Sequence, residues 1–124
     1  MTQVFAIAAG GALGALMRYW VSTGIYNWVG RSFPWGTLVV NVIGSLLMGL
    51  LYVWLLERMT QSTEWRAFLL IGLLGAFTTF STFSIETLNL IEQGQHVRAL
   101  LNAFGSVVLC VAAAWMGVVI ARQM

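Results

Sequence analysis

Four long apolar stretches separated by short polar breaks make up most of this chain. Each holds about the 20 mostly apolar residues that a helix needs to cross a bilayer, and we predict spanning helices over residues 3–28, 35–56, 67–91 and 97–121. The breaks at residues 30–34, 57–66 and 92–96 carry the turn signals and most of the charge, and Pro34 is suited to open the second helix. The pattern predicts an all-α integral membrane protein with four transmembrane helices.

Polar side chains occur in the third stretch at a depth where a lipid-facing helix would gain nothing from them. They are Thr78, Thr79, Ser81, Thr82, Ser84, Glu86 and Thr87. A carboxylate inside the bilayer costs about 3 kcal/mol or more unless it faces a partner or water. On a helix Thr79, Thr82 and Glu86 share one face, and Phe80 and Phe83 share a neighbouring one. A single hydroxyl usually bonds back to its own helix, but the whole group indicates the wall of an aqueous or ionic path.

The same stretch contains a weak point for a helix. Gly75 and the β-branched pair Thr78-Thr79 disfavour continuous helix, so we predict that the third helix is broken near the middle of the membrane. Non-helical backbone survives at that depth only where it is buried in protein or lines a cavity. A break would free carbonyl groups for a cation and turn a new helix N-terminus towards an anion.

Three further polar side chains lie within predicted spans. Asn41 can donate and accept hydrogen bonds at once, so it forms either an ordinary interhelical bond or part of the path. Arg18 is the only cation in the interior of a predicted span, and it either draws anions inward or extends to the lipid headgroups. Ser106 in the fourth span is a weaker candidate of the same kind as Asn41.

The composition argues against several other classes of protein. Hydrophobic residues make up 60% of the 124 residues and charged residues only 8%, whereas a soluble domain carries about 25% charged residues. The length allows one domain, over residues 1–124. The net charge of +2 comes from scattered Arg residues, which argues against a nucleic-acid partner. The chain has no Asp or Lys and a single His, so neither a catalytic triad nor a phosphate loop with Lys is present and we expect no enzyme.

The positive charges on the two sides of the predicted bundle are balanced. Three Arg residues fall on each side, namely Arg58, Arg66 and Arg122 against Arg18, Arg31 and Arg98. Because the Lys/Arg bias sets orientation, we expect either that a partner decides it or that both orientations occur and pair with each other. Closely spaced glycines in the first three spans predict tight helix packing. The two halves of the chain show no repeat, and an antiparallel pair of identical chains would supply the symmetry that inverted repeats give transporters.

Three blocks of sequence resemble the CrcB/Fluc family of fluoride channels, and the similarity spans the whole chain. The blocks are Gly10-Gly11-Ala12-Leu13-Gly14 with Arg18-Tyr19, Gly36-Thr37-Leu38-Val39-Val40-Asn41-Val42-Ile43-Gly44-Ser45, and Gly75-Ala76-Phe77-Thr78-Thr79-Phe80-Ser81-Thr82-Phe83-Ser84-Ile85-Glu86. The third block is highly specific. The resemblance implies a passive fluoride-selective channel of the cell inner membrane, which exports cytoplasmic fluoride and so relieves its toxicity.

The resemblance also implies an assembly and a set of site residues. The assembly would be an antiparallel, dual-topology homodimer with two pores, each lined by both chains. The fluoride pore would use Asn41, Phe80, Phe83, Ser81, Thr82, Thr79, Glu86 and Ser106, with Arg18 in an anion vestibule. The backbone carbonyls of Gly75 and Thr78 from both chains would hold one structural sodium ion at the dimer interface. Cys110 departs from the small hydroxyl residue that the family carries nearby, and its lone thiol is otherwise interpreted as a small buried hydrophobe.

Two other functions also fit the residues. A small proton-coupled four-span transporter of the multidrug type would use Glu86 as its coupling carboxylate, but it gives no role to Phe80 and Phe83. A purely structural membrane subunit would carry no flux at all. Fluoride is tightly hydrated, so a selective path must replace its water with ordered dipoles, and the positive edges of phenyl rings can contribute.

Overall fold

The structure is a computed structural model that describes residues 1–58 and 63–124. Four helical segments in it are long and apolar enough to cross a membrane, and they cover Thr2–Val29, Trp35–Arg58, Thr63–Glu92 and His96–Gln123. Each segment contains one predicted span in full. The prediction of an all-helical, multi-pass membrane protein with four spans is therefore confirmed.

The first, second and fourth spans are continuous. Helix α1 (Thr2–Val29) and helix α6 (His96–Gln123) are uninterrupted. Helix α2 (Trp35–Tyr52) begins directly after Pro34 and continues into a π-helical segment, Val53–Arg58. Because proline fixes φ and lacks an N–H, it is well placed just before or at the first turn of a helix.

The third span is assembled from several pieces. Helix α3 (Thr63–Arg66) leads into a π-helical segment, Ala67–Leu74, and then into the short helix α4 (Gly75–Phe77). After a break, helix α5 (Phe80–Glu92) completes the span. Such π-helical turns are uncommon and frequently lie near functional sites, and here they lead into the break.

The prediction of a polar link over residues 57–66 is wrong in part. Glu57 and Arg58 belong to the π-helical end of the second span, and residues 63–66 are helical as well. Hydropathy falls where a helix leaves the lipid, whereas backbone hydrogen bonding continues into the polar residues beyond. Residues 59–62 of the predicted link lie outside the described part of the chain.

Two glycines with positive φ close the short turns. Gly30 has φ of 86° and donates its N–H to the carbonyl of Tyr26 at 2.8 Å, which ends α1. Gly94 has φ of 78° and lies between α5 and α6. Glycine adopts such backbone angles without the steric cost that a side chain would add, so the predicted turns at residues 30–34 and 92–96 are confirmed.

Glycine contacts hold the helices in two close pairs, α1 with the segment Ala67–Leu74 and α2 with α6. A Cβ on Gly72 would lie 2.7 Å from the carbonyl oxygen of Ile7, and a Cβ on Gly117 would lie 2.9 Å from the backbone nitrogen of Leu50. Backbones approach this closely only where side chains are absent. The predicted tight packing is confirmed at Gly10, Gly14, Gly44, Gly49 and Gly72, but Gly11 has open space where its Cβ would be.

Candidate functional site

The break in the third span consists of Thr78 and Thr79, as the sequence predicts. Thr78 donates its N–H to the carbonyl of Leu74 at 3.0 Å, the last helical bond before the break. Its ψ of 157° then extends the chain, and Thr79 is extended too, with φ of −151° and ψ of 116°. Thr79 caps α5, because its Oγ1 accepts the N–H of Thr82 at 3.2 Å.

Asn41 holds the break from the neighbouring span. Its Nδ2 donates to the carbonyl of Thr79 at 3.0 Å, and its Oδ1 accepts the N–H of Thr79 at 2.8 Å. Thr79 is only 7% exposed, so its backbone groups would otherwise be buried without partners. We call this pair of bonds the Asn41 clamp. It lets non-helical backbone persist inside the membrane, where every polar group needs a partner.

The clamp and the cap together leave two carbonyl groups without their helical donors. In a continuous helix the N–H of Thr79 would bond the carbonyl of Gly75, and the N–H of Thr82 would bond that of Thr78. Here those N–H groups go to Asn41 Oδ1 and to Thr79 Oγ1 instead. Gly75 lies at the surface of the chain and Thr78 is half-buried. Such a set of oxygen donors fits a hard cation rather than zinc or copper.

Three hydroxyls of the polar run are occupied by their own helices. Thr78, Ser84 and Thr87 each donate to the carbonyl four residues earlier, at 3.0, 3.0 and 2.7 Å. For these side chains the ordinary alternative, back-bonding within the helix, is what the structure shows. Each of these hydroxyl protons is therefore engaged within its own helix.

The remaining hydroxyls form a connected group at the start of α5. Thr79 Oγ1 donates to Thr82 Oγ1 at 3.0 Å and lies 3.4 Å from Ser81 Oγ. Ser81 is exposed and Thr82 is half-buried. The group surrounds the N-terminus of α5, where the backbone N–H groups of the first turn have no helical acceptor. This end of the helix therefore favours negative charge.

Phe80 and Phe83 stand side by side next to the break. Their ring centroids are 5.3 Å apart and the ring planes are tilted by 44°. Phe80 is 77% exposed, so its ring lies at the outer surface of this chain. Both rings border a cavity of about 390 Å³ between α2, α5 and α6, which we call the break cavity. The predicted site residues on its walls are Asn41, Thr78, Thr79, Phe80, Phe83 and Ser106, and Cys110 lies there as well.

A buried polar group behind the break cavity was not anticipated from the sequence. Asn102 is 2% exposed, and its Nδ2 donates to Thr87 Oγ1 at 2.8 Å. Ser106 Oγ donates in turn to Asn102 Oδ1 at 3.4 Å. The signal was present, because Asn102 is a lone amide in an apolar stretch, as Asn41 is. The group links α5 to α6 and holds Ser106 at the cavity wall.

Glu86 lies away from the break cavity and has partners of its own. Its Oε2 accepts the hydroxyl proton of Tyr26 at 2.7 Å, and Tyr26 Oη is also 3.2 Å from Thr37 Oγ1. Oε1 of Glu86 is buried and has no hydrogen-bond partner among the described residues. Tyr26 was missed from the sequence because an aromatic residue near the end of a span is typical of the membrane interface.

A second cavity of about 280 Å³ contains Glu86, and Arg31 and Arg98 also line it. Arg18 lines neither cavity, and it is half-buried within α1. Ser81 and Thr82 also lie outside both cavities. The structure therefore groups the predicted site residues into a break cavity, a neighbouring hydroxyl group, and a separate cavity around Glu86.

Known proteins are similar to this chain over all or nearly all of its length. The profile of a family described as "CrcB-like protein, Camphor Resistance (CrcB)" matches residues 5–118. A protein of Geobacter sulfurreducens named "Fluoride-specific ion channel FluC" is 50% identical over 124 residues, which is 100% of both chains. A protein of the same name from Magnetococcus marinus is 52% identical over 97% of this chain and 98% of its own.

A third relative with that name, from Methylococcus capsulatus, is 58% identical over 98% of this chain. The matched region is 54% of that protein, so this chain spans about half of its length. The match of the family profile and the identity to these relatives agree with the resemblance found in the three sequence blocks. The chain belongs to the CrcB/Fluc family of fluoride-specific ion channels.

Proposed function

We propose that this chain is a passive fluoride channel of the cell inner membrane, which lets cytoplasmic fluoride leave and so relieves its toxicity. The observation that carries the proposal is the clamped break, with an anion-favouring helix end and two phenyl rings around one cavity. Fluoride has to exchange its water for ordered donors. The first turn of α5, the second N–H of the Asn41 amide and the phenyl edges are such donors.

The anion rather than a cation is favoured at the break cavity because of the direction of α5. The N-terminal end of a helix carries roughly half a positive charge, and Phe80 and Ser81 begin this one. Asn41 bonds to the backbone of Thr79 through Oδ1 and one N–H, which leaves the second N–H of its amide available to an anion. The edges of the Phe80 and Phe83 rings carry partial positive charge and could face an anion in this cavity.

We further propose that two chains pair in antiparallel fashion to form two pores, with one structural sodium ion between them. Gly75, whose carbonyl has lost its helical donor, lies at the surface, and so does the ring of Phe80. A second chain at this surface would bring a second pair of carbonyls from Gly75 and Thr78. Four carbonyl oxygens without a carboxylate suit a monovalent cation, and sodium would add a fixed positive charge near the anion path.

Fluoride efflux from liposomes that contain the purified protein tests the function. We expect passive efflux that needs no proton gradient, with chloride passing far more slowly. Efflux that stalls without a proton gradient would favour a transporter that uses Glu86. No efflux from a folded protein would favour a structural subunit.

Orientation and sodium are tested separately from flux. Two or three Arg residues added to one loop should fix the orientation and abolish activity unless an oppositely biased copy is co-expressed. Full activity from a uniformly oriented population would contradict the antiparallel dimer. Exchange of sodium for a large organic cation should weaken the dimer, measured by its dissociation in detergent, and an unchanged dimer would contradict the sodium site.

A further inference from the structure

The cavity around Glu86 lies at the end of the bundle formed by the turn at residues 30–34, the end of α5 and the start of α6. Its walls carry Arg31 and Arg98, with Ser32, Gln93 and Gln95 as further polar neighbours. Both Arg residues are exposed, so an ion arriving from the water meets them first. We call this space the arginine cavity.

Both guanidinium groups are held in place without being neutralised. The guanidinium carbon of Arg31 lies 4.5 Å from the ring centroid of Tyr26, a cation–π contact that leaves the charge intact. Arg98 donates from Nη1 to the carbonyl of Ser32 at 3.2 Å and to Gln95 Oε1 at 3.1 Å. Neutral acceptors orient a guanidinium group but do not cancel its charge.

The carboxylate in the same cavity does not pair with either arginine. Glu86 is the only acidic side chain on its walls, and it bonds to the neutral hydroxyl of Tyr26. Within residues 1–58 and 63–124 the only ion pair joins Glu57 to Arg122, at the opposite end of the helix bundle. The arginine cavity therefore holds two unpaired positive charges and at most one negative charge. The negative charge would be that of the Glu86 carboxylate, which is hydrogen-bonded to Tyr26.

The two cavities follow one another along a single face of α5. Phe80 and Phe83 line the break cavity, and Glu86, Leu90 and Gln93 line the arginine cavity. Steps of three or four residues place these side chains in one row on a helix. The row therefore places the two cavities at neighbouring positions along α5.

We propose that the arginine cavity is an anion-collecting mouth, in which Arg31 and Arg98 concentrate fluoride, a small inorganic anion, before it reaches Glu86. The inference rests on the proposed function, because a mouth has a role only if the chain conducts. Tyr26 serves the mouth by keeping Glu86 from pairing with the two cations. Focused charge at an entrance raises the local concentration of the oppositely charged ion and falls with ionic strength.

The expected effect follows from Coulomb's law with screening. An anion about 7 Å from each of two charges in water would be enriched about five-fold at 10 mM salt, about three-fold at 0.1 M and hardly at all at 1 M. If only one end of each pore has such a mouth, the change in total flux is smaller. We therefore expect a two- to five-fold loss of flux at 10 mM salt when both charges are removed.

The experiment compares fluoride efflux of the double variant Arg31→Gln/Arg98→Gln with that of the wild-type protein at 10 mM and 1 M background salt. The double variant Arg31→Lys/Arg98→Lys retains both charges and should keep near wild-type efflux. Arg58→Gln removes one charge at the other end of the bundle, where Arg58 Nη2 donates to the carbonyl of Arg122. Efflux is measured in vesicles of neutral lipid and in vesicles with added anionic lipid, after gel filtration has shown that each variant is folded.

Loss of efflux in the Gln variant at 10 mM salt, absent at 1 M salt and equal in both lipids, would support the mouth. Unchanged efflux at 10 mM salt would overturn it and leave the two arginines as solvated surface charges. A loss confined to vesicles with anionic lipid would also overturn it, because the arginines would then hold lipid phosphate. A wild-type protein that passes no fluoride would refute the proposed function itself, which the other outcomes leave intact.

Discussion

Replacing Asn41 with Ala removes the clamp that holds the break in the third span. The substitution deletes two hydrogen bonds, 3.0 and 2.8 Å long, and both partners are backbone groups of the buried Thr79. A buried polar group left without a partner costs about 1–3 kcal/mol, so we expect Asn41→Ala to lower the free energy of unfolding by about 2–6 kcal/mol. One way for the chain to lower this cost is to return the N–H of Thr79 to the carbonyl of Gly75, which would close the break.

Either response should impair conduction. A protein that keeps an unclamped break is less stable, and one that heals the break loses the shape of the cavity wall and a free carbonyl. Asn41→Asp is an informative companion, because it keeps the acceptor for Thr79 and loses the donor. We expect an intermediate stability from it and low fluoride flux, since it adds negative charge to the anion path.

The assay is unfolding of the purified protein in detergent, followed by tryptophan fluorescence, together with fluoride efflux from liposomes. Asn27→Ala is the matched control, because Asn27 is exposed on α1, and it should unfold within about 0.5 kcal/mol of the wild type. If Asn41→Ala unfolds as the control does and passes fluoride at the wild-type rate, then the clamp does not hold the break.

Three further changes test other parts of the site. Gly44→Val would place its side chain against Thr78 Cγ2, and overpacking of this kind should cost about 1–3 kcal/mol and reduce efflux; a variant with unchanged thermal unfolding would contradict the close contact. Cys110 lines the break cavity, so a small methanethiosulfonate reagent should reduce efflux through the wild-type protein. Cys110→Ser should be unaffected by the reagent. Full efflux after complete labelling would place the thiol away from the path. Phe80→Ile and Phe83→Ile keep bulk but lose the ring edge, and each should reduce efflux about ten-fold, as the loss of ~1.4 kcal/mol of attraction implies; normal efflux in both would assign the rings to packing.

The features that local sequence determines were predicted well. The four spans follow from hydropathy, and the break follows from Gly75 and the Thr78-Thr79 pair, because backbone preference acts within a few residues. Of the close glycine contacts between α2 and α6, the sequence predicted those of α2 but not that of Gly117 on α6. Nothing in the sequence distinguishes Gly117 from other small residues until its neighbour is known.

The features that depend on distant partners were not predicted. Tyr26 and Glu86 are 60 residues apart and meet only because the fold brings the end of α1 within side-chain reach of α5. Spacing alone placed Glu86 on one helix face with Thr79 and Thr82. In the structure Glu86 bonds to Tyr26, whereas Thr79 and Thr82 bond to each other, because each side chain bonds to the partner that the fold brings close. Asn102 was missed although its sequence signal equals that of Asn41, because its partner Thr87 lies 15 residues away on another helix.

The close glycine contacts between α1 and the segment Ala67–Leu74, and between α2 and α6, have a consequence for biogenesis. Their closest contacts join glycines to backbone atoms such as those of Ile7 and Leu50, with no charged side chain among them. Packing of this kind is the same whichever end of the bundle faces the cytoplasm. A chain inserted in either direction would therefore reach the same fold, and a single gene product would be able to supply both halves of the antiparallel pair that we propose.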